Sequence, residues 1–381
     1  MMKYDCRKSI LEGTELIVFG ETTGAGFSVE ILSELGRGSS CLVYRGVLRQ
    51  KIDGLIIKRE VVVKELYPIG LGIVRNIEKS GGVGRLIVPD ERRDDFSKAV
   101  KNFGKSQIEF NEYYKGSEAH ICPQILVYGK ANDTYYSIRD MLNVLPLSKI
   151  DRSFLDLNTV AGIMVAVCKA IKKFHVKEKL YLDIKPDNIF LCMNTDKIPH
   201  VFIFDFDTVM KLENLKKISN AFFPYSPGWA APEQLPQKAD GIPRDPSLIG
   251  FHTDIYSIGA LFFWLITERK VLDSDIKSIA SGDFDIKNES KLCRNVQREI
   301  LILIGKLVKD MLEPDSVKRK ETYRHYIAIN EVQKDFGKLY GLTTEGDNFF
   351  SELQEKIKIL EDEIDRLRND IREIKCKNDN S

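Results

Sequence analysis

The chain has 381 residues, of which 43% are hydrophobic and 30% are charged, and its formal net charge is +1. This length allows two lobes with ample core, and the near-neutral charge gives no reason to expect nucleic-acid binding through bulk electrostatics. The longest strongly apolar run, around residues 258–266, is too short to span a bilayer and the N-terminus lacks the apolar core of a signal peptide, so we expect a cytoplasmic protein that is not bound to a membrane.

The cysteines and histidines show no spacing that is typical of a disulfide framework or a metal centre. The seven cysteines are scattered without a Cys-x-x-Cys pair, and the five histidines form no local cluster. We interpret the cysteines as free thiols of a reducing compartment and the histidines as structural residues.

The first half of the chain has the pattern of a β-rich region. Residues 1–26 are a lead-in of mixed character, and short β-rich runs with glycine-containing turns follow at 27–32, 41–48 and 60–64. Residues 68–95 are rich in glycine and charge, which predicts an exposed insertion or a flexible loop. A helical period over 94–114 and two strands, at 124–128 and 134–142, complete this region.

The second half is mainly helical. An apolar face recurs at helical spacing from about residue 158, and residues 255–266 are apolar nearly all round, as in a buried helix. Strands first and helices later predict an α+β fold with two segregated lobes.

Three short segments carry groups suited to phosphate chemistry. Gly36-Arg-Gly38 lies between two predicted strands, where it forms either a phosphate-binding loop or a plain hairpin turn. Lys64 ends an apolar strand and requires an anionic partner, unless it is an edge-strand lysine. Asp183-Ile-Lys-Pro-Asp-Asn188 is followed, 22 residues on from Asp183, by Asp205. A proton acceptor, a cation and two metal ligands are what phosphoryl transfer needs.

These segments resemble the motifs of protein kinases, in the kinase order from Gly36 to Arg319. The resemblance implies a bilobal protein-kinase-like fold over residues 27–335, with a β-rich N-lobe at 27–142 and a helical C-lobe at 143–335. It also implies that Asp183 accepts the substrate proton and that Lys185 steadies the transferring phosphate. Asn188 and Asp205 would then hold Mg²⁺.

The same resemblance assigns the ATP-binding residues. They are Gly36, Gly38 and Val43 around the glycine-rich loop, Lys64 on the phosphates, and Asp140 and Leu142 at the adenine edge. Kinases pair that lysine with a helix glutamate, for which Glu109 is our choice and Glu112 the second candidate.

Other segments extend the resemblance. The resemblance implies that Ser226 contacts the catalytic base, that Asp254 begins a buried helix that anchors the catalytic loop, and that Arg319 pairs with Glu233 of Ala-Pro-Glu. By the same alignment, Arg139 falls at the gatekeeper position behind the adenine, where it requires a partner carboxylate unless the register of the alignment is off by one.

The chain departs from the kinase pattern at three places. Cys41 replaces the third glycine and would narrow the loop over the phosphates. Leu182 replaces the arginine before the base, which removes a docking point for a phosphorylated activation loop. Asp207 replaces the glycine of Asp-Phe-Gly and restricts the backbone there.

A coiled coil is predicted at residues 348–377, after a linker at 336–347. Apolar residues alternate at spacings of three and four over 350–374, and the e and g pairs Lys356–Glu361, Glu363–Arg368 and Asp370–Lys375 are attractive in a parallel dimer. A homodimer is the favoured interpretation; a different coiled-coil partner, or a single helix packed on the kinase lobe, are the alternatives.

Together these patterns favour a Ser/Thr protein kinase that uses ATP and Mg²⁺ to phosphorylate protein hydroxyls and autophosphorylates as a coiled-coil dimer. A pseudokinase scaffold is the first alternative, supported by the three departures. A small-molecule phosphotransferase is the second, although such enzymes usually lack the Lys-Pro after the base and the Ala-Pro-Glu segment.

Overall fold

The computed structural model describes residues 5–52, 55–76, 82–115, 123–193, 199–215, 225–235, 245–323 and 328–343. The strands, in chain order from β1 to β13, are Glu15–Gly20, Gly26–Arg37, Cys41–Ile52, Leu55–Leu66, Val74–Asn76, Arg85–Ile87, Ile125–Ala131, Thr134–Asp140, Leu145–Pro146, Lys179–Leu180, Ile189–Met193, Pro199–Ile203 and Met210–Lys211. The helices α1 to α9 are Arg93–Tyr114, Leu157–His175, Leu212–Leu215, Phe251–Thr267, Asp273–Ser281, Ile286–Glu289, Arg298–Met311, Ser316–Thr322 and Ala328–Thr343. The predicted coiled coil, 348–377, lies outside the described residues.

The chain divides into two compact units. Unit 1 comprises Met1–Leu145 and Ile203–Lys211, and unit 2 comprises Pro146–Phe202 and Leu212–Ser381. The segment Ile203–Lys211 was expected in the helical lobe, yet it groups with unit 1. Tyr114 of α1 explains part of this, because its hydroxyl donates to the Ile203 carbonyl at 2.8 Å and accepts from the Ile203 amide at 2.9 Å.

The strands of unit 1 close into a barrel in the order β1-β2-β3-β4-β8-β7, with antiparallel neighbours. Alternate side chains along a strand point to opposite faces. In β4, Val61, Val63 and Glu65 therefore enter the barrel, whereas Lys64 lies on the other face, level with Val43 of β3. The predicted β-rich character of this region is confirmed.

Two segments of unit 1 differ from the expectation. The predicted lead-in contains β1, whose residues alternate between exposed and buried and pair with β2. The predicted exposed insertion contains β5 and β6, and Arg75 of β5 is only 2% exposed. Arg75 donates at 2.5 Å to Glu65, which also accepts from the Tyr44 and Tyr136 hydroxyls. This buried charge pair orders a stretch whose composition is typical of a loop.

In unit 2, α4 packs against α2, α7, α8 and α9 and is buried nearly all round, as predicted. A Cβ on Gly259 would lie 2.6 Å from the Cβ of Met311, so only glycine lets α4 approach α7 this closely. The last helix, α9, extends into the predicted linker 336–347, because Phe336 and Leu339 are fully buried and Phe336 packs edge-on against Phe262. None of the helices in the part of the chain that the structure describes is long and apolar enough to cross a membrane.

Candidate active site

A single carboxylate fixes the backbone just before Asp183. Asp254, at the start of α4 and fully buried, accepts the amides of Tyr181 at 2.9 Å and Leu182 at 2.8 Å, and it contacts Nε2 of His175 at 2.9 Å. Leu182 is held at φ 65°, a left-handed conformation that leucine rarely adopts. The expectation that Asp254 anchors this loop is confirmed, and its two bonds stabilise the unfavourable backbone that aims Asp183.

Asp183 lies in a dense set of hydrogen bonds and is only 9% exposed. One carboxylate oxygen accepts from Lys185 at 2.6 Å and from the Asn188 amide nitrogen at 2.8 Å. The other accepts from Ser226 at 2.6 Å, and Lys185 also donates to Ser226 at 2.9 Å. The structure therefore brings together Asp183, Lys185, Asn188 and Ser226 in unit 2. A carboxylate in this setting has a fixed orientation and a cation beside it.

The Ala-Pro-Glu segment is tied to this loop and to a buried ion pair. Gln234 donates to the Leu182 carbonyl at 3.0 Å, a contact that no motif in the sequence indicates. Glu233 pairs with Arg319, as expected, and the two side chains are 2% and 0% exposed. Thr253 also donates to Glu233 at 2.8 Å. A pair this deeply buried stabilises the fold only while both partners are present.

In unit 1, Lys64 faces two carboxylates. Its ammonium lies 3.3 Å from Asp205 and 3.4 Å from both oxygens of Asp207. Burial alone would lower the pKa of Lys64, but the charges of Asp205 and Asp207 outweigh it and raise that pKa above its usual value. Burial and the neighbouring Asp205 raise the pKa of Asp207, although Lys64 and Ser106 act in the opposite direction.

The predicted Glu109–Lys64 pair is not among the ion pairs of the described residues, and neither is a pair with Glu112. The face of α1 that is buried carries Phe103, Ser106 and Phe110, whereas Glu109 is half-buried and Glu112 is exposed. The expected helix glutamate is therefore replaced by carboxylates from the Phe-Asp-Phe-Asp segment.

Alternation along Phe204-Asp-Phe-Asp207 explains how its carboxylates are presented. Phe204 and Phe206 are buried and lie 6.0 and 5.2 Å from the ring of Phe110. Asp205, at φ 66°, and Asp207 remain accessible, with side chains that are 43% and 27% exposed. The aromatic residues thus fasten the segment to α1 and leave both acids available.

The glycine-rich loop is the turn between β2 and β3. Gly38 donates to the Cys41 carbonyl at 2.9 Å, and Gly36 pairs with Val43. Neither glycine has a positive φ, and an added Cβ would meet nothing within 4 Å at Gly36 and only the Cys41 carbonyl, at 3.9 Å, at Gly38. The fold itself therefore does not require glycine at either position.

Arg7, which the sequence analysis did not single out, holds this turn. Its guanidinium donates to the Gly38 carbonyl at 2.7 Å, and it donates a second bond to the Tyr67 carbonyl. Arg37 donates to the Arg7 carbonyl at 2.9 Å. Arg7 is 60 residues from Tyr67 in sequence, so no local pattern could have indicated the contact.

Comparison with known proteins identifies the family. A model of the protein kinase domain matches residues 98–328, more than half of the chain. The chain belongs to the protein kinase domain family. The matched range includes Asp183, Asn188 and Asp205, whereas the glycine-rich loop and Lys64 precede it.

Several curated protein kinases are similar to parts of this chain. Serine/threonine-protein kinase Pkn1 of Myxococcus xanthus is 29% identical over 143 residues, which are 35% of this chain and 18% of that protein. Putative serine/threonine-protein kinase R436 of Acanthamoeba polyphaga mimivirus is 29% identical over 199 residues, 51% of this chain and 67% of that protein. Death-associated protein kinase 2 of Homo sapiens is 26% identical over 198 residues, 49% of this chain and 52% of that protein. The aligned part thus spans less than two thirds of the first and third of these relatives.

Arg139, which we predict to lie at the gatekeeper position, contacts aromatic rings. Its guanidinium lies 4.3 Å from the ring centre of Phe204 and 5.5 Å from that of Phe110. Burial lowers the pKa of Arg139 to about 10, against the opposing influence of Tyr114 and Asp205. The expected partner carboxylate is therefore replaced largely by cation–π contacts.

The remaining predicted ATP-binding residues lie at the end of β8. Asp140 pairs with Arg59 of β4 through its carboxylate, at 2.6 Å for one of the contacts. Met141 donates its amide to the Glu60 carbonyl at 3.1 Å, and Leu142 follows half-buried. The bond from Met141 fixes the backbone between the two residues that we predict to contact adenine.

The departure at Cys41 has a structural explanation. Its side chain is 2% exposed and packs with Leu66 and Phe103, so it points into unit 1 and does not narrow the glycine-rich loop. Burial raises the pKa of this thiol well above its usual value, so it remains protonated and unreactive.

Proposed function

We propose that the protein is a Ser/Thr protein kinase that transfers the γ-phosphate of ATP to hydroxyl groups of proteins. The observation that carries this proposal is the set of bonds around Asp183, in which one carboxylate is held by Lys185, Asn188 and Ser226. A lysine two residues after the base and a hydroxyl residue in contact with it are typical of Ser/Thr kinases. Membership of the protein kinase domain family supports the same assignment.

In the proposed reaction, the oxygen of the substrate hydroxyl bonds to the γ-phosphorus of ATP while Asp183 accepts the hydroxyl proton. The bond between the γ-phosphorus and the β-phosphate oxygen breaks, which releases ADP. Lys185 is already 2.6 Å from Asp183, and its charge would counter the charge on the transferring group. Ser226 orients the second oxygen of the base.

Unit 1 would bind the nucleotide phosphates. Lys64 carries a charge that its surroundings preserve, because the pKa of its ammonium is raised. Gly36 and Gly38 have room for a Cβ, and the fold does not require glycine there. Glycine is then explained by a ligand that approaches the backbone closely. Val43, Asp140 and Leu142 are the proposed contacts to the base of the nucleotide.

Asp205 and Asn188 are the proposed Mg²⁺ ligands, and their chemistry fits this ion. Mg²⁺ prefers oxygen ligands and is usually held by one or two carboxylates together with substrate phosphates, whose charge it neutralises. Among the described residues, no three His, Cys, Asp or Glu side chains are grouped to hold a metal by themselves. The Asp205 side chain is accessible, and the Asn188 amide nitrogen is used on Asp183, which leaves its amide oxygen for the cation.

The second part of the proposal is that two chains pair through residues 350–374 and that this homodimer autophosphorylates. It is supported by the heptad spacing and the attractive e and g charges of the sequence. Pairing would raise the effective concentration of one kinase domain for the other. If it occurs, removing residues 348–381 should make autophosphorylation of the shortened chain slow and concentration-dependent.

The test of the proposed function is incubation with labelled ATP, Mg²⁺ and a generic protein acceptor, alongside Asp183→Asn. We expect label on serine or threonine, and a rate about 10²–10⁴-fold lower for the variant. Transfer by the wild type at the level of the variant would contradict the proposal and favour a scaffold without kinase activity. Transfer only to small molecules would favour the phosphotransferase.

A further inference from the structure

We propose that Asp207 is a positioning residue that orients the Lys64 ammonium, in the place that a helix glutamate takes in other protein kinases, and that Ser106 of α1 holds Asp207 for this role. This inference rests on the proposed function.

The first argument is the geometry around Lys64. Both oxygens of Asp207 lie 3.4 Å from the ammonium, and Asp205 lies 3.3 Å from it. The Lys64 side chain is only 16% exposed, so it depends on protein partners more than on water. In the proposed function Asp205 binds the divalent cation, which takes up its negative charge. Asp207 is the partner that remains to hold Lys64 when nucleotide and metal are present.

The second argument is the face that α1 presents to this cluster. Lys64 lies 5.9 Å from the ring centre of Phe103, and Ser106, less than a turn further on, is a buried hydroxyl near enough to Asp207 to lower the pKa of its carboxyl. A buried ring and a short hydroxyl stand where a glutamate would have to reach Lys64. The helix therefore contributes to the orientation of Lys64 through Asp207.

The third argument is the backbone at position 207. In the segment Phe204-Asp-Phe-Asp207, Asp205 has a positive φ, whereas Asp207 is not among the described residues with a positive φ. The fold consequently imposes no glycine at 207, and an aspartate is accommodated without strain. Asp-Phe-Asp in place of Asp-Phe-Gly and the missing pair between Lys64 and a helix glutamate thus have one common explanation, which is that the Asp207 carboxylate takes the role of that glutamate.

The experiment measures ATP affinity for the full chain, wild type and Asp207→Asn, by displacement of a fluorescent nucleotide, with and without Mg²⁺. We expect Asp207→Asn to weaken binding about tenfold, and Ser106→Ala to weaken it to a smaller degree. Both losses should be larger with Mg²⁺ than in EDTA, because without metal Asp205 is also free to hold Lys64. Asp95→Asn, which removes a half-buried acid at the start of the same helix, is the matched control for charge.

A double-mutant cycle separates positioning from general structure. In a Lys64→Met background, Asp207→Asn should cause no further loss, since its effect passes through Lys64. Thermal unfolding of each variant shows whether it is folded. If Asp207→Asn does not fold, Ser106→Ala serves as the variant that tests the inference.

Three outcomes would overturn the inference. They are unchanged affinity in Asp207→Asn, a further loss on top of Lys64→Met, which would mark Asp207 as a metal ligand, and a larger loss in Glu109→Gln. Each leaves the proposed function standing. A wild type that binds no nucleotide and transfers no phosphate would overturn both.

Discussion

The proposed catalytic loop of unit 2, residues 183–188, and the charged cluster of unit 1, formed by Lys64, Asp205 and Asp207, are organised by opposite means. Around Asp183, the chain's own donors satisfy the carboxylate, and Asp254 fixes the backbone behind it. Around Lys64, two carboxylates face one ammonium and their side chains are 43% and 27% exposed. The first carboxylate is held by the chain's own donors, whereas the two carboxylate side chains of the second arrangement remain partly accessible to a divalent cation.

This difference predicts how variants should behave. Changes that weaken the support of the catalytic loop should lower stability or turnover whether or not nucleotide is bound. Changes in the charged cluster should appear mainly in nucleotide affinity. A loop variant that mainly lowers nucleotide affinity, or a cluster variant that mainly lowers stability or turnover, would weaken the account.

The largest effect on stability is expected at the buried pair. Arg319→Met leaves Glu233 buried with an unpaired charge, and we expect the free energy of unfolding to fall by about 3–5 kcal/mol, measured by urea denaturation. The matched control is Arg49→Met, which breaks the exposed pair with Glu30 and should cost about 0–1 kcal/mol. Equal losses in the two variants would show that burial does not set the strength of these pairs.

A smaller but more specific effect is expected at Asp254. In Asp254→Asn, the new amide nitrogen faces a backbone N–H, so Tyr181 or Leu182 loses its acceptor and Asp183 shifts. We expect turnover to fall about 100-fold, while the affinity for ATP changes less than twofold. Loss of ATP affinity comparable to the loss of turnover would argue against separate tasks for the two regions.

The smallest effect is expected at Arg7, which binds the Gly38 carbonyl. Arg7→Ala should loosen the glycine-rich loop and weaken ATP binding about threefold, with turnover at saturating ATP unchanged. Lys8→Ala, an exposed neighbour, serves as the control. A fall in turnover without a change in affinity would place Arg7 outside the nucleotide-binding region.

Local spacing explains what the sequence could predict. Asp183, Lys185 and Asn188 lie within six residues, so their encounter follows from a single turn of chain. The Glu233–Arg319 and Asp254 contacts are distant in sequence, and only the family resemblance made them predictable. Alternation and helical periodicity predicted five of the six barrel strands and the three helices α1, α2 and α4 within about five residues, whereas the short strands and the other helices were not predicted.

The contacts that escaped prediction are long-range and depend on which face of a strand or helix a residue occupies. The acids opposite Lys64 are more than 140 residues away, and the expected glutamate failed because α1 turns Phe103 and Ser106 toward the cluster. The sequence did not indicate that Arg75 is buried, because its partner Glu65 lies ten residues away in an apolar strand and no local pattern links the two residues. Charge composition predicts exposure only when no such partner exists.

The most direct test of the account compares Asp183→Asn with Lys64→Met in one experiment that measures both the dissociation constant for ATP and the rate of phosphate transfer to a protein acceptor. The account predicts that Asp183→Asn binds ATP within about twofold of the wild type and transfers phosphate about 10²–10⁴-fold more slowly. Lys64→Met should bind ATP about tenfold or more weakly. Full transfer by Asp183→Asn would contradict the assignment of Asp183 as the base, and with it the central claim.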